Sequence, residues 1–545
     1  MRRRFIVAIA ILGGWIVSSG LADACTSILV SRGASKDGSV FITYSADAPF
    51  MPKLLHSPGG VHPKGTTVEV RGWEDGNVKG TIPQASKTFN VVGLINENQV
   101  ALSETTTGGR GELVNPQGQF DYDALMWITL QRATSARHAI RLIDELTRDY
   151  GYCSAGETFS ISDKNEVWMM ELIGKGPGVK GIVWVAARVP DGYIGAHANA
   201  SRITTFPLDD PENWLYSKDV ISFAVEKGYY HESPGKPFSF RDAYHPDQSP
   251  FSKRAGAGRV WSIFRRSAPS KNFSPDYFRC VEGAEDYPLF IKPDRPLALA
   301  DAMALMRDHY EGTPFDMTKG VDAGPFGSPY RFRGLRWDVE GQACMWERAI
   351  STQQAGFVTV CQSRNELPDA VGGVIWFTPD DAYTSCFTPL YCSATTLPES
   401  YVKGEHNAFS WESAWWVFNL VSNLTYDRWS RIIPDVQKAQ REQEASLLKM
   451  QPIIERAAAD LDAQDDKLAR EFLTNYSVST AESVFRRWKD LCSFILTKHN
   501  DGYVNAQEAG YSKEWLKKVV KENPGKFDLV KPKPKATKGT VEGLH

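Results

Sequence analysis

The chain has 545 residues, enough for one large domain with appendages or for two or three domains. Its 42% hydrophobic and 23% charged content is that of a globular protein. A formal net charge of −3 argues against nucleic acid or an acidic membrane surface as a partner. Sixteen Trp and twenty Tyr fit a thick aromatic core or a peptide- or sugar-contacting surface, burial being the commoner explanation.

The first segment, 1–24, reads as a removable secretion signal: Arg2-Arg3-Arg4, an apolar run from Phe5 to Val17, and Ala22-Asp23-Ala24 as an A-x-A cleavage site. Cleavage after Ala24 makes Cys25 the first residue of the mature chain. A terminal cysteine carries a thiol and a free α-amine together, so the amine can serve as the thiol's own base. Two other readings stand beside this one. Cleavage a residue or two away leaves Cys25 an ordinary thiol. A lipoprotein anchor acylates it, although Ala22 and Asp23 are poor flanks for that processing. No later run is long and apolar enough to span a bilayer, so the expected location is extracytoplasmic, periplasmic or secreted.

Thr26 to Ser31 and Val40 to Tyr44 read as a hairpin around the turn Ser35-Lys36-Asp37-Gly38. Strands are expected at Phe89–Ile95, Gln99–Ser103, Thr158–Ser162, Val167–Ile173, Ile182–Ala187 and Tyr193–Ala196. Helices are expected at Tyr122–Arg132, Ala136–Asp149, Lys218–Lys227, Val260–Arg266 and Leu297–His309. Strands return at Phe357–Val360 and Val374–Phe377. Blocks of strands separated by helical pairs predict an α+β fold with helices layered on antiparallel sheets. From about Trp411 the pattern becomes helical, at Trp415–Leu424, Val436–Leu447, Ile453–Phe472 and Ala481–Leu496. The expected divisions are a signal at 1–24, a core at 25–410, a C-terminal helical region at 411–528 and a loose Lys/Pro-rich tail at 529–545.

There are eight cysteines, and Cys386 and Cys392 are near enough in sequence to be considered as a pair. No cysteine–histidine cluster has zinc spacing, and no His-Glu-x-x-His, Gly-x-Ser-x-Gly or P-loop motif occurs, so a metal site has no support. A papain-like pairing of Cys25 with His197 or His309 has no local support. Asp47, just past the second strand of the hairpin, can return close to the Cys25 amine, or it caps a turn. Asn199, after a strand, can donate to an oxyanion or make a turn. Glu104 to Arg110 is a polar, glycine-rich stretch that lines a pocket or turns the chain.

Several stretches taken together resemble the dipeptidase A family of N-terminal nucleophile (Ntn) hydrolases, related to the secernins. They are Cys25-Thr26-Ser27-Ile28-Leu29-Val30, Ala34-Ser35-Lys36-Asp37-Gly38-Ser39, Ala46-Asp47, Ser103 to Arg110, Arg188 to Gly192, and Ala198 to Ile203. The resemblance runs from Cys25 to roughly Ser430. It implies an αββα four-layer sandwich and a cofactor-free cysteine peptidase acting on dipeptides or small peptides. Carried over by position, Cys25 matches the nucleophile, Asp47 the nearby carboxylate, Asn199 the oxyanion donor and Arg259 an active-site arginine. One departure stands out: Tyr44 occupies a place where relatives often carry arginine, and Arg259 is the candidate to replace that charge. A dipeptidase must also hold its substrate's ends, with Glu104 a candidate for the amine, Arg110 or Arg202 for the carboxylate, and Thr106 a further substrate contact. An acylase on the same fold and a lipid-anchored non-catalytic envelope protein are the alternatives. A homo-oligomer is left open.

Overall fold

The computed structural model describes residues 25–48, 50–73, 76–332 and 334–529. The expected signal at 1–24 and all but the first residue of the expected tail lie outside the described residues.

Two antiparallel sheets form the core. The strands are β1 (Ser27–Val30), β2 (Val40–Asp47), β3 (His56–Ser57), β4 (Val91–Val92), β5 (Ile95–Asn96), β6 (Ala101–Gly108), β7 (Gly156–Ser162), β8 (Val167–Gly174), β9 (Ile182–Arg188), β10 (Ile194–His197), β11 (Trp214–Tyr216), β12 (Phe290–Ile291), β13 (Ala355–Ser363), β14 (Val374–Pro379) and β15 (Thr388–Tyr391). Sheet one runs β12-β10-β1-β2-β13-β14-β15, and sheet two runs β11-β9-β8-β7-β6-β5-β4-β3. β1 and β2 touch β6, β7 and β8, so the sheets face one another. This explains why β1, β2, β8 and β14 read as continuous buried runs rather than as alternating strands. The expected strand at Phe89–Ile95 is instead a tight reversal, with Val92 opposite Ile95.

The hairpin forms, its strands joined by a wide loop that contains the 3-10 turn Arg32–Ala34 as well as Asp37-Gly38. Leu29 pairs with Ile42 and Thr26 bridges Ser45, so the register extended by one residue sets Cys25 opposite Ala46 and beside Asp47. On its other edge β2 pairs with β13, Asp47 opposite Ala355.

Helices α1 (Tyr122–Leu130) and α2 (Ala136–Tyr150) pack on sheet two. Asp121 caps α1 by accepting from the Ala124 N–H, and Ser135 caps α2 through the His138 N–H. Helix α3 (Gly258–Ser267) lies beside β10, and α4 (Leu299–Leu305) follows β12. The expected helix at Lys218–Lys227 shrinks to five residues, Ser222–Glu226.

The C-terminal helices differ from expectation in where they break. Beyond α5 (Ala414–Tyr426) there are two long helices, α6 (Trp429–Asp462) and α7 (Asp466–Lys498), not three shorter ones. Pro452 lies inside α6 and does not end it. Packing against α7 and β15 outweighs the one hydrogen bond a proline removes. The true stop falls at 463–465, where Asp465 caps α7. Buried polar ties join these helices to sheet one: Arg307 to Glu444 at 2.5 Å, Arg364 to Glu455 at 2.5 Å, and the Trp488 indole donating to the Thr384 carbonyl at 3.2 Å.

Cys386 and Cys392 do not pair: all eight cysteines are free. The two flank the extended strand β15, and a strand rises about 3.3 Å per residue, which carries their sulfurs far beyond disulfide reach.

Candidate active site

Cys25 lies two residues before β1 and is only 3% exposed. Its Sγ approaches Glu104 Oε1 at 3.6 Å and Tyr44 Oη at 3.8 Å. The Tyr44 hydroxyl donates to the same Glu104 oxygen at 2.5 Å. Burial pushes the Cys25 thiol well above its ordinary range, and the charges of Glu104 and then Asp47 push the same way. The Asp47 backbone N–H and Tyr44 oppose this only in part. The resting sulfur is therefore a neutral thiol. Burial likewise raises the Tyr44 phenol, with Cys25 and Glu104 adding to it.

The backbone side of Cys25 has the opposite character. Arg259, fully buried at the start of α3, donates through Nη1 to the Cys25 carbonyl at 2.6 Å and to Thr26 Oγ1 at 2.9 Å. Through Nη2 it reaches Asn199 Oδ1 at 2.9 Å. Burial, then Arg348, lowers this guanidinium to about 10, so it stays charged at neutral pH. The turn before α3 must come close to the 198–200 loop: a Cβ on Gly256 would lie 2.7 Å from the Ala198 carbonyl oxygen, so only glycine fits. Asn199 has φ 51°, a left-handed conformation that asparagine tolerates, and its Nδ2 donates to the Thr106 carbonyl at 2.9 Å. Thr106 thus contributes its backbone to the arrangement.

Asp47 is buried, and its Oδ2 accepts from Arg348 Nη2 at 3.0 Å. Arg348 was not foreseen: it lies just before β13, three hundred residues along the chain, and no local pattern marks it. The chain thus sets two buried arginines near Cys25, one on the carbonyl and one on Asp47. The sulfur itself is left to Tyr44 and Glu104.

Cys25, Tyr44, Asp47 and Glu104 border a cavity of about 80 Å³, whereas Arg259, Asn199, Thr106 and Arg348 lie behind its wall. Sheet one supplies Cys25, Tyr44, Asp47, Phe357 and Phe377, β6 supplies Glu104, and α1 supplies Tyr122, Asp123, Met126 and Trp127. Phe50, Leu54, Trp73 and Lys53 complete much of the rim. The wall is apolar and aromatic around a small number of acidic groups, the usual make-up of a small-molecule site. Burial, then the charges of Asp121 and Glu104, raises Asp123 to about 7.

The two arginines expected to bind a substrate carboxylate are placed elsewhere. Arg202 is buried and spends its guanidinium on the carbonyls of Ala196, Tyr287 and Pro288. Arg110 donates to the Ala243 carbonyl and lies over the Tyr229 ring at 3.9 Å. Both hold loops together. His197 hydrogen-bonds Thr105 and Ser160, and burial lowers it to about 3, while His309 turns to Glu311. Neither histidine is paired with Cys25. Asp123 and Lys53 were also missed. An aspartate in a helix's first turn looks like a partner of the helix dipole, and a surface lysine looks like solvated charge.

A thiol buried in an apolar, acid-ringed cavity between two facing sheets of an α+β chain is the frame of a hydrolytic enzyme. The sequence matches the model of Peptidase family C69 over residues 24–442, and the chain belongs to that family. It is 26% identical over 486 residues to a probable dipeptidase of Latilactobacillus sakei, spanning 84% of this chain and 94% of that protein. A probable dipeptidase of Salmonella dublin is 26% identical over 415 residues, 72% of this chain and 85% of the relative. Dipeptidase A of Lactobacillus helveticus is 25% identical over 432 residues, 73% and 81% respectively.

Proposed function

We propose that this protein is a cysteine dipeptidase of the N-terminal nucleophile type, exported by its first 24 residues and acting outside the cytoplasm from Cys25. The observation that carries the reading is the position of Cys25. It stands two residues ahead of the buried strand β1, with its thiol in the cavity and its carbonyl clamped by Arg259. Two facing antiparallel sheets with helices packed on each support an αββα Ntn sandwich as the fold.

In the reaction, the neutral α-amine of Cys25, with an ordinary pKa of about 7.7–8.0, takes the thiol proton. A buried thiol beside carboxylates does not ionise unaided, so this transfer belongs to the attack on the substrate carbonyl. Asp47, beside Cys25 and anchored by Arg348, orients the amine. Asn199, held by Arg259 and by the Thr106 carbonyl, and a backbone N–H are assigned to the developing oxyanion, a good donor being worth about 3–4 kcal/mol. The Cys25 ammonium then protonates the leaving amine, and water activated by the same amine releases the acyl group.

The acylase alternative wants a wide apolar pocket without charges for a substrate's ends, and this cavity carries Glu104, Asp123 and Lys53. A lipid anchor would have to draw Cys25 out of contact with Tyr44 and Glu104. The test is mass spectrometry of the exported protein's N-terminus together with a hydrolysis assay on dipeptides and N-acyl amino acids. The expected outcome is a free amine on Cys25 and faster dipeptide cleavage. An acylated or different first residue, or preference for N-acyl substrates, would overturn the proposal.

A further inference from the structure

We propose that the Cys25 cavity carries two opposite poles, Asp123 for the α-ammonium and Lys53 for the α-carboxylate of a dipeptide. The inference rests on the dipeptidase reading above.

Asp123 lies in the first turn of α1, which forms one wall of the cavity. Among the described residues its carboxylate has no hydrogen-bond or ion-pair partner. Glu104 is differently engaged, because its Oε1 takes both the Tyr44 hydroxyl and the Cys25 thiol. Around Asp123 stand Glu104 from sheet two, Cys25, Tyr44 and Asp47 from sheet one, and Asp121 and Tyr122 from its own helix turn. Every one of these is acidic or neutral. An ammonium ion placed beside Asp123 therefore relieves like-charge repulsion as well as gaining a partner.

Lys53 is the one basic side chain among the described residues of the cavity wall. It sits at the mouth, 43% exposed, and pairs with the 72% exposed Glu405 at 3.0 Å. An exposed pair of this kind contributes little and exchanges readily, so a substrate carboxylate can displace Glu405. Aromatic and aliphatic side chains make up most of the remaining wall. A third residue would lengthen the substrate by about 3.3–3.6 Å.

The titration of Asp123 near 7 gives a sign. Above that pH the carboxylate is charged and attracts the ammonium. As pH falls through it, protonation removes the pole and KM for dipeptides rises.

The mature full-length enzyme and its Asp123→Asn, Asp123→Glu and Lys53→Met forms are to be assayed with Ala-Ala, N-propionyl-alanine, Ala-Ala amide and Ala-Ala-Ala. Each compound is used as substrate or, if uncleaved, as competitive inhibitor. Asp123→Asn should lower kcat/KM for Ala-Ala 10–100-fold through KM, while binding of N-propionyl-alanine, which lacks the ammonium, stays within about twofold. Its KM should no longer rise below pH 7, and Asp123→Glu should keep the preference for a free ammonium. Lys53→Met should weaken Ala-Ala about tenfold, leave Ala-Ala amide unchanged, and narrow the gap between Ala-Ala and Ala-Ala-Ala. Equal losses on Ala-Ala and N-propionyl-alanine would reduce Asp123 to a structural residue. An unchanged ratio of Ala-Ala to its amide in Lys53→Met would remove the second pole. Either result overturns the inference while dipeptide turnover persists; no dipeptide turnover in the wild type sinks the underlying dipeptidase reading with it.

Discussion

The two sides of Cys25 are built on opposite electrostatic plans. Its carbonyl faces the buried guanidinium of Arg259, which also holds Thr26 and Asn199. Its thiol faces Glu104, Tyr44 and Asp47, and its pKa is pushed up. The cation therefore fixes the backbone of the residue, while the sulfur lies in surroundings that disfavour a thiolate. If Cys25 acts as the nucleophile proposed above, its backbone is held rigidly, its resting thiol is kept uncharged, and a base must take the proton during the attack.

The largest expected effect comes from breaking the carbonyl side. Arg259→Met leaves the oxygen acceptors of Cys25, Thr26, Ala198, Asn199 and Ala255 without this donor, and an unsatisfied buried acceptor costs about 1–3 kcal/mol. Thermal unfolding should move down by several degrees, and kcat/KM for a dipeptide should fall at least a thousandfold. A variant with normal stability and turnover would show that the cation is dispensable.

Asp47→Asn probes the junction between the two sides. It keeps the shape but takes the carboxylate from Arg348. If Asp47 orients the Cys25 amine, turnover should drop about 10–100-fold. The amine pKa should fall too, since an anionic neighbour favours its protonated form. A pH–rate profile reads both, and an unchanged profile with wild-type turnover would return Asp47 to a structural role.

The smallest effect sharpens the thiol side. Glu104→Gln removes the largest charge holding the thiol neutral, so the thiol pKa should fall. The rate of iodoacetamide alkylation against pH should shift toward lower pH, with turnover changed less than about tenfold. Alkylation that shifts to higher pH would mean that Glu104 serves mainly as the thiol's proton acceptor.

The local parts of this arrangement were legible in the sequence. The Asp-Gly turn and the two flanking β-rich runs define a hairpin, and the hairpin's register alone brings Asp47 beside Cys25. Cys25 itself stands out because of the segment before it, Asn199 because of its place after a strand, and Arg259 came from resemblance rather than from pattern. Helices α1 and α2 and most strands followed from periodicity and caps. The break expected between Leu447 and Ile453 does not occur, because helix packing carries α6 through Pro452.

Tertiary structure alone decided the rest. It sent Arg110 and Arg202 to loop carbonyls and brought Arg348 to Asp47 from three hundred residues away. It also turned Tyr44 onto Glu104 and set α1 with Asp123 against the cavity. The physical reason is one of range. A turn and a two-residue period act between neighbours, so they are written in adjacent letters. The partner of a buried charge is set by which distant elements close over it, and a long guanidinium or carboxylate pairs with whatever that closure leaves in reach.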